Sequence, residues 1–156
     1  MIIRPLKKSD DKQMLVLMDE FWNDYWRGEV LSENLKRLEK LKDVAKTMQD
    51  ELAKYHKWIT FIAEQDNELI GFIVGDIDPK AHKVLDNQGY IEEFFVTEKY
   101  RHQGVGKELF DKLIDEFKVR GCKTLCTDTY VTNVKTIEYY KKLGFKERNI
   151  VFVRDI

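Results

Sequence analysis

Two glycines separated by one residue, Gly104 and Gly106, stand in VTEKYRHQGVGKELF (residues 96–110), after an apolar run and before an amphipathic one. The start of a helix exposes unpaired backbone N–H groups and partial positive charge. Glycines there let an anion approach the backbone closely. Lys99, Arg101, His102 and Lys107 add positive charge in a chain whose net charge is only −1, so any anion site is local. The combination suits a phosphate, although a tight strand-to-helix turn uses the same glycines. Two phosphate motifs fail. A P-loop requires glycine where Arg101 stands and serine or threonine where Glu108 stands. A dinucleotide fingerprint requires glycine or alanine at Leu109.

Carboxylates and phenols supply a second set of candidates. Glu92 and Glu93 are consecutive in the otherwise apolar GYIEEFFVT (residues 89–97). Strand alternation sends neighbouring side chains to opposite faces, so one of the two is expected to face a cleft, where it could take up a proton or hold a cation. Tyr139 and Tyr140 are neighbours on a helical run, about 100° apart, so one of them is largely packing. Trp22, Tyr25 and Trp26 lie among Asp19, Glu20, Asp24 and Glu29. Aromatic faces beside carboxylates suit a cation, while Phe21, Trp22 and Tyr25 at helical spacing also read as a core face.

These residues must be positioned by a mixed α/β chain. MIIRPL reads as a first strand. Ser9 is the expected N-cap of a helix with Met14, Met18, Phe21, Trp22 and Tyr25 on one side, ending at Gly28. Ser32 caps a long charged helix over 32–55 with the seam Leu35, Leu38, Ala45, Met48, Leu52 and Tyr55. KWITFIAEQDNELIGFIVGDI is a hairpin turning at Asp66-Asn67, followed by a polar connection, DPKAHKVLDNQ, and the strand GYIEEFFVT. A helix over 104–120 ends at Gly121, KTLCTDTY is a strand, NVKTIEYYKKLG a helix, and FKERNIVFVRDI a last strand or short hairpin. The strand-helix-strand unit over 89–128 is expected to be a right-handed parallel crossover.

With 156 residues and no linker or repeat, residues 1–156 read as one domain, able to bury about 70% of its unfolded surface. No apolar run approaches a membrane span and no signal-peptide pattern opens the chain, so a cytoplasmic protein is expected. Neither nucleic acid nor membrane is indicated as a partner. On a strand, Cys122 and Cys126 would lie about 13 Å apart, too far for a disulfide. They are too few for zinc without the distant histidines, so no metal is expected.

A third phosphate pattern does fit: Arg/Gln-x-x-Gly-x-Gly/Ala, as Arg101-His102-Gln103-Gly104-Val105-Gly106. It resembles the acyl-coenzyme A signature of the GNAT N-acetyltransferase superfamily. YIEEFFVTEKYRHQGVGKELF resembles the family's strand-loop-helix. NVKTIEYYKKLGF is similar to its Asn-x-x-Ala-x-x-x-Tyr-x-x-x-Gly-Phe segment, with Thr136 in place of alanine. The likeness covers residues 1–10 and 58–147, and nothing in 28–57 adds to it.

The resemblance implies a GNAT-type fold, a mostly antiparallel sheet with one parallel crossover flanked by helices. It implies transfer of the acetyl group of acetyl-coenzyme A to a primary amine by direct attack. The implied cofactor contacts are the strand at Phe94, Phe95 and Val96, the loop at Arg101, His102, Gln103, Gly104, Val105, Gly106 and Lys107, and Asn133, Lys135 and Tyr140. The strand would pair with the pantetheine arm, and a backbone N–H there would polarise the thioester oxygen. Deprotonating an amine of pKa ~10.4 at pH 7 costs about 4.6 kcal/mol, so a base is useful. By resemblance Glu92 is that base and Tyr140 the acid that protonates the departing thiolate. Trp22, Tyr25, Trp26 and Glu92 are the expected acceptor contacts. They favour a small amine or polyamine over a peptide amine or aminoglycoside. A non-catalytic acyl-coenzyme A sensor on the same fold is the alternative, and the 32–55 helix could serve a homodimer or cover the cleft.

Overall fold

The computed structural model of the protein describes residues 1–27, 44–78 and 87–148. In order these form β1 (Ile2–Pro5), a 3-10 turn (Lys8–Asp10), α1 (Asp11–Arg27), α2 (Val44–Tyr55), β2 (Ile59–Gln65), β3 (Glu68–Asp78) and β4 (Gln88–Val96). A second 3-10 turn (Glu98–Tyr100), α3 (Val105–Val119), β5 (Thr124–Cys126) and α4 (Val134–Lys142) follow. One five-stranded sheet runs β1-β2-β3-β4-β5, antiparallel up to β4 and parallel between β4 and β5. This is the mixed α/β architecture with one parallel crossover that the sequence implied.

The central stretches of the inner strands are mostly apolar because helices cover both faces. Ile62, Phe72, Val74 and Phe95 point to one side and pack with Met14 and Met18 of α1 and Met48, Leu52 and Tyr55 of α2. Phe61, Ala63, Ile73 and Ile91 point to the other and pack with Val105, Leu109, Leu113 and Phe117 of α3. Those helical residues recur three or four apart, the spacing that turns one face inward. Gly75 and Gly89 make room for α3: an added Cβ would lie 2.6 Å and 2.8 Å from atoms of the Phe117 ring. The β2–β3 hairpin turns where expected, with φ of 54° at Asp66 and 63° at Asn67, the handedness that a two-residue hairpin turn favours.

Several local expectations are corrected. Ser9 does not cap α1. It sits inside the 3-10 turn, which Asp10 closes by accepting the Lys7 N–H at 2.8 Å while the Arg4 guanidinium holds its two oxygens at 2.7 and 2.9 Å. That guanidinium keeps the Asp10 carboxyl below its ordinary pKa. Ala45 is exposed, and the buried seam of α2 begins one turn later at Met48. The strand expected over KTLCTDTY is confined to Thr124–Cys126, with Cys122 before it. Cys122 and Cys126 are free thiols. Gly28, Ser32, Leu35, Leu38, most of the polar connection after β3 and the C-terminal part of the last expected strand lie outside the described residues.

Candidate active site

The site is built where β4 loses its partner. β3 pairs with β4 along its whole length, from Asp78↔Gln88 to Gly71↔Val96. β5 pairs with it only at Gln88↔Thr124, Gly89↔Leu125 and Tyr90↔Cys126. From residue 91 to 96 the far edge of β4 has no strand beside it among the described residues. The side chain after β5 marks the fork: Thr127 Oγ1 donates to the Ile91 carbonyl at 3.2 Å and lies 3.4 Å from the Tyr140 hydroxyl.

β4 is also bulged. Val74 lies opposite Glu93 and Gly75 opposite Ile91, so Glu92 is an extra residue. The expectation that Glu92 and Glu93 take opposite faces therefore fails. Ile91 and Phe94, three apart, both pack on the α3 side, and the two glutamates fall between them. Glu92 is exposed, whereas Glu93 is half-buried and accepts a hydrogen bond from Tyr55 of α2. Burial pushes the Glu93 carboxyl up to about 8, Glu51 adds to this, and Lys54 opposes it. Lys54 pairs with Glu51 at 2.6 Å and also feels Asp50 and Glu92, so this side of the fork is predominantly acidic.

β4 runs through the second 3-10 turn into the glycine loop. His102 and Gly104 have φ of 62° and 88°, and no side chain caps α3 at Gly104. The first helical bond there is Glu108 N–H to the Gly104 carbonyl at 3.1 Å. The N–H groups of Val105, Gly106 and Lys107 thus open the helix. The two glycines serve different purposes. A Cβ at Gly104 would meet nothing within 4 Å, so its backbone conformation is what selects glycine. A Cβ at Gly106 would lie 3.1 Å from Tyr139 Oη and 3.4 Å from Phe94 Cζ, so there the close approach of two rings selects it. This uncapped, open helix start is a cradle of a shape and polarity that fits a phosphate group.

The remaining expected residues divide. Phe94 packs on Tyr139 with ring centroids 5.9 Å apart, whereas Phe95 is buried against Phe21 of α1 and Phe72 of β3. Val96 sits on the α3 side, and Val105 is buried. The Arg101 side chain is committed elsewhere: Nε donates to the Val96 carbonyl at 2.8 Å and Nη2 to Asp24 of α1 at 2.5 Å. Gln103 donates to the Lys99 carbonyl, His102 is exposed, and Lys107 pairs with Asp111 at 2.5 Å. Asn133 caps α4 by accepting the Thr136 N–H, and Lys135 is exposed. Tyr140 packs on Phe145 at 5.2 Å, and burial raises its pKa. Trp22 is half-buried against the α1–α2 core. Tyr25 and Trp26 belong to α1, but their side chains lie outside the described residues. Sequence reasoning did not single out three residues of the fork. Tyr55 appeared only as the end of a helical seam, Thr127 carried no signal, and Tyr90, whose hydroxyl donates to Asp128 at 2.6 Å, appeared only as a strand residue.

The forked sheet edge thus leads into an uncapped, glycine-opened helix. The model of the Acetyltransferase (GNAT) family matches residues 17–145. N-alpha-acetyltransferase 30 of Schizosaccharomyces pombe is 29% identical over 117 residues, 67% of this chain and 77% of that protein. Its human counterpart is 34% identical over 92 residues, but this chain spans only 25% of its length. An aminoglycoside N(6')-acetyltransferase type 1 of Klebsiella aerogenes is 26% identical over 147 residues, 94% of this chain and 90% of that protein. Among solved structures, the aminoglycoside N-acetyltransferase AAC(6')-Iy in complex with CoA superposes with a TM-score of 0.77 at 21% identity, over 99% of this chain and 93% of that one. The chain belongs to the GNAT acetyltransferase family, and it is an acyltransferase.

Proposed function

We propose that the protein transfers the acetyl group of acetyl-coenzyme A to a primary amine, with a small amine or polyamine favoured. The carrying observation is the fork: the edge of β4 away from β3 has no strand beside it along residues 91–96 among the described residues, and that edge leads into the open start of α3. An extended pantetheine arm would add to the sheet edge as a further strand, by main-chain hydrogen bonds. Its pyrophosphate would lie at the N–H groups of Val105, Gly106 and Lys107. Arg101 would fix the turn through Nε and Nη2, which are engaged with Val96 and Asp24.

Acetyl-coenzyme A supplies an activated acyl carbon with a thiolate leaving group. The rest is done by side chains at the fork. Glu92 and Glu93, with Glu51 and Asp50 behind them, draw an ammonium to the bulge and provide the proton acceptor. Tyr140, next to Thr127 where the strands part, protonates the sulfur. Burial raises its pKa, which keeps that proton in place at neutral pH. The same acidic lining supports a cationic acceptor. Relatives named for protein N-termini and for aminoglycosides keep both of those in the test panel.

The test is thiol release from acetyl-coenzyme A with spermidine, N-terminal and lysine-containing peptides, aminoglycosides and amino acids. Release that depends on one amine class is the expected outcome. Cofactor binding without release from any amine would refute the transfer reading.

A further inference from the structure

The last turn of α2 is fastened over the bulge of β4. Tyr55, 1% exposed and packed on Phe72 with ring centroids 5.9 Å apart, donates its hydroxyl to the Glu93 carboxylate. Glu51 stands one turn before Tyr55 on the same face of the helix, and three residues before Lys54. Lys54 Nζ donates to Glu51 Oε1 at 2.6 Å, and the lysine side chain is 48% exposed. Asp50 and Glu92 also attract this ammonium, and it acts in turn on Glu93. A primary amine of the chain itself therefore stands in the acidic lining of the fork, on the sheet face that α1 and α2 cover. The lysines at the glycine-loop end are engaged away from it: Lys99 pairs with Glu68 and Lys107 with Asp111.

We propose that Lys54 is a self-acetylation site, an acetyl acceptor that the fold holds at its own fork when no other amine is there. The proposal rests on the acetyl-transfer reading, which puts the acetyl carbon where β4 and β5 part. Lys54 Nζ passes one proton to Glu51, and from there it goes to water. The neutral nitrogen then forms the N–C bond while the C–S bond breaks and its electron pair goes to sulfur. Tyr140 gives the sulfur a proton and recovers one from solvent, which also takes the second proton shed by nitrogen. The products are a neutral amide on Lys54 and coenzyme A as its free thiol. Tethering the amine to the end of α2 replaces a bimolecular encounter with an intramolecular one. Uncatalysed acetylation in solution selects differently, because it requires an unprotonated amine. The bond to Glu51 raises the pKa of the Lys54 ammonium above its ordinary value, so that chemistry would leave Lys54 behind. Preferential acetylation of Lys54 is therefore a mark of the fork and not of general lysine reactivity.

The experiment incubates the full chain with acetyl-coenzyme A and no added amine, and locates and times acetylated lysines by peptide mass mapping. Lys54 should take up one acetyl group at least about 100-fold faster than Lys57, which is also exposed and lies just beyond the end of α2. Its rate constant should not change with protein concentration, and it should fall when desulfo-coenzyme A competes for the cofactor site. Lys54→Arg, which keeps a positive charge opposite Glu51, should abolish that modification and the thiol release that accompanies it. Acetyl groups spread evenly over the exposed lysines, a rate constant that rises with protein concentration, or indifference to desulfo-coenzyme A overturns the proposal. Thiol release with an added amine while Lys54 stays unmodified overturns self-acetylation alone. A protein that neither releases thiol with any amine nor modifies Lys54 overturns the transfer reading and self-acetylation with it.

Discussion

Alanine at Gly106 would place a methyl group 3.1 Å from Tyr139 Oη and 3.4 Å from Phe94 Cζ. Favourable carbon contacts lie at roughly 3.5–4.0 Å, so one ring must give way. Tyr139 cannot yield towards Phe94, because those rings already pack with centroids 5.9 Å apart. Either the phenol tilts outward with α4 or the first turn of α3 lifts off the sheet. Overpacking of this size costs about 1–3 kcal/mol, and the lower figure applies because the obstructing atom is a side-chain tip. If half of that strain falls on the helix start, affinity for acetyl-coenzyme A drops by about two- to threefold. The assay is a double-mutant cycle with Tyr139→Phe, which removes the oxygen and leaves the ring. Urea unfolding and calorimetric titration are run on all four proteins. Gly106→Ala should cost about 1 kcal/mol of stability with Tyr139 present and clearly less in the Tyr139→Phe background. Gly104→Ala is the control: its penalty of about 1 kcal/mol comes from a φ of 88° and should not depend on Tyr139. Equal costs for Gly106→Ala in both backgrounds would refute the contact as the reason for glycine at 106.

Gly75→Ala should destabilise by about 2–3 kcal/mol, since its Cβ would meet Phe117 Cζ at 2.6 Å and Leu113 Cδ1 at 2.9 Å, and Phe117→Leu should recover part of the loss in urea melts. Tyr140→Phe should lower kcat by about 100-fold without abolishing turnover, because the thiolate leaves well unaided, and an unchanged rate would reduce Tyr140 to packing. Glu93 binds its proton more tightly folded than unfolded, so wild-type stability should fall as pH rises from the ordinary carboxylate range to about 8, by at most ~1.4 kcal/mol per pH unit. Glu93→Gln should remove that slope, and equal slopes for the two proteins would show that Glu93 ionises freely in the fold. Asp24→Asn should cost less than about 1 kcal/mol, because the pair it makes with Arg101 is 41% and 38% exposed, and a larger loss in thermal unfolding would mean that Arg101 anchors α1.

The sheet order and both helical layers were legible because they rest on period: alternation and unbroken apolar runs in β2 and β3, three-and-four spacing in α1 and α3. The turn into α3 was legible because Gly104 stands at its start, where φ is 88°. Errors arose where one residue of register or one tertiary contact decides. The bulge at Glu92 turns a rule about neighbours on opposite faces into its reverse, and no residue type in YIEEFF announces it. The bond from Arg101 to Asp24, 77 residues away, is equally invisible in the motif. Ser9 is a good cap by type, but the Arg4–Asp10 pair draws the chain into a 3-10 turn first. Tyr139 and Tyr140 could be told apart only once α4 was seen to lay one phenol over Gly106 and the other beside Thr127.

The junction of β4 and β5, confined to residues 88–90 and 124–126, has a dynamic consequence. β1 to β4 form a slab cross-linked by long ladders, whereas among the described residues β5 and α4 attach through a short zip, the Thr127–Ile91 and Tyr90–Asp128 bonds, and the packing of Leu125, Tyr139, Leu143 and Phe145. Amide hydrogens of β5 and α4 should therefore exchange by a local opening well below the free energy of global unfolding. A molecule lying in the fork would contact both lips, so each opening would first require its release. Protection would then rise with its concentration as RT ln(1 + [L]/Kd), and would rise chiefly in that C-terminal unit. Hydrogen exchange in that unit would thus serve as a titration curve for occupancy of the fork, readable with no acceptor present.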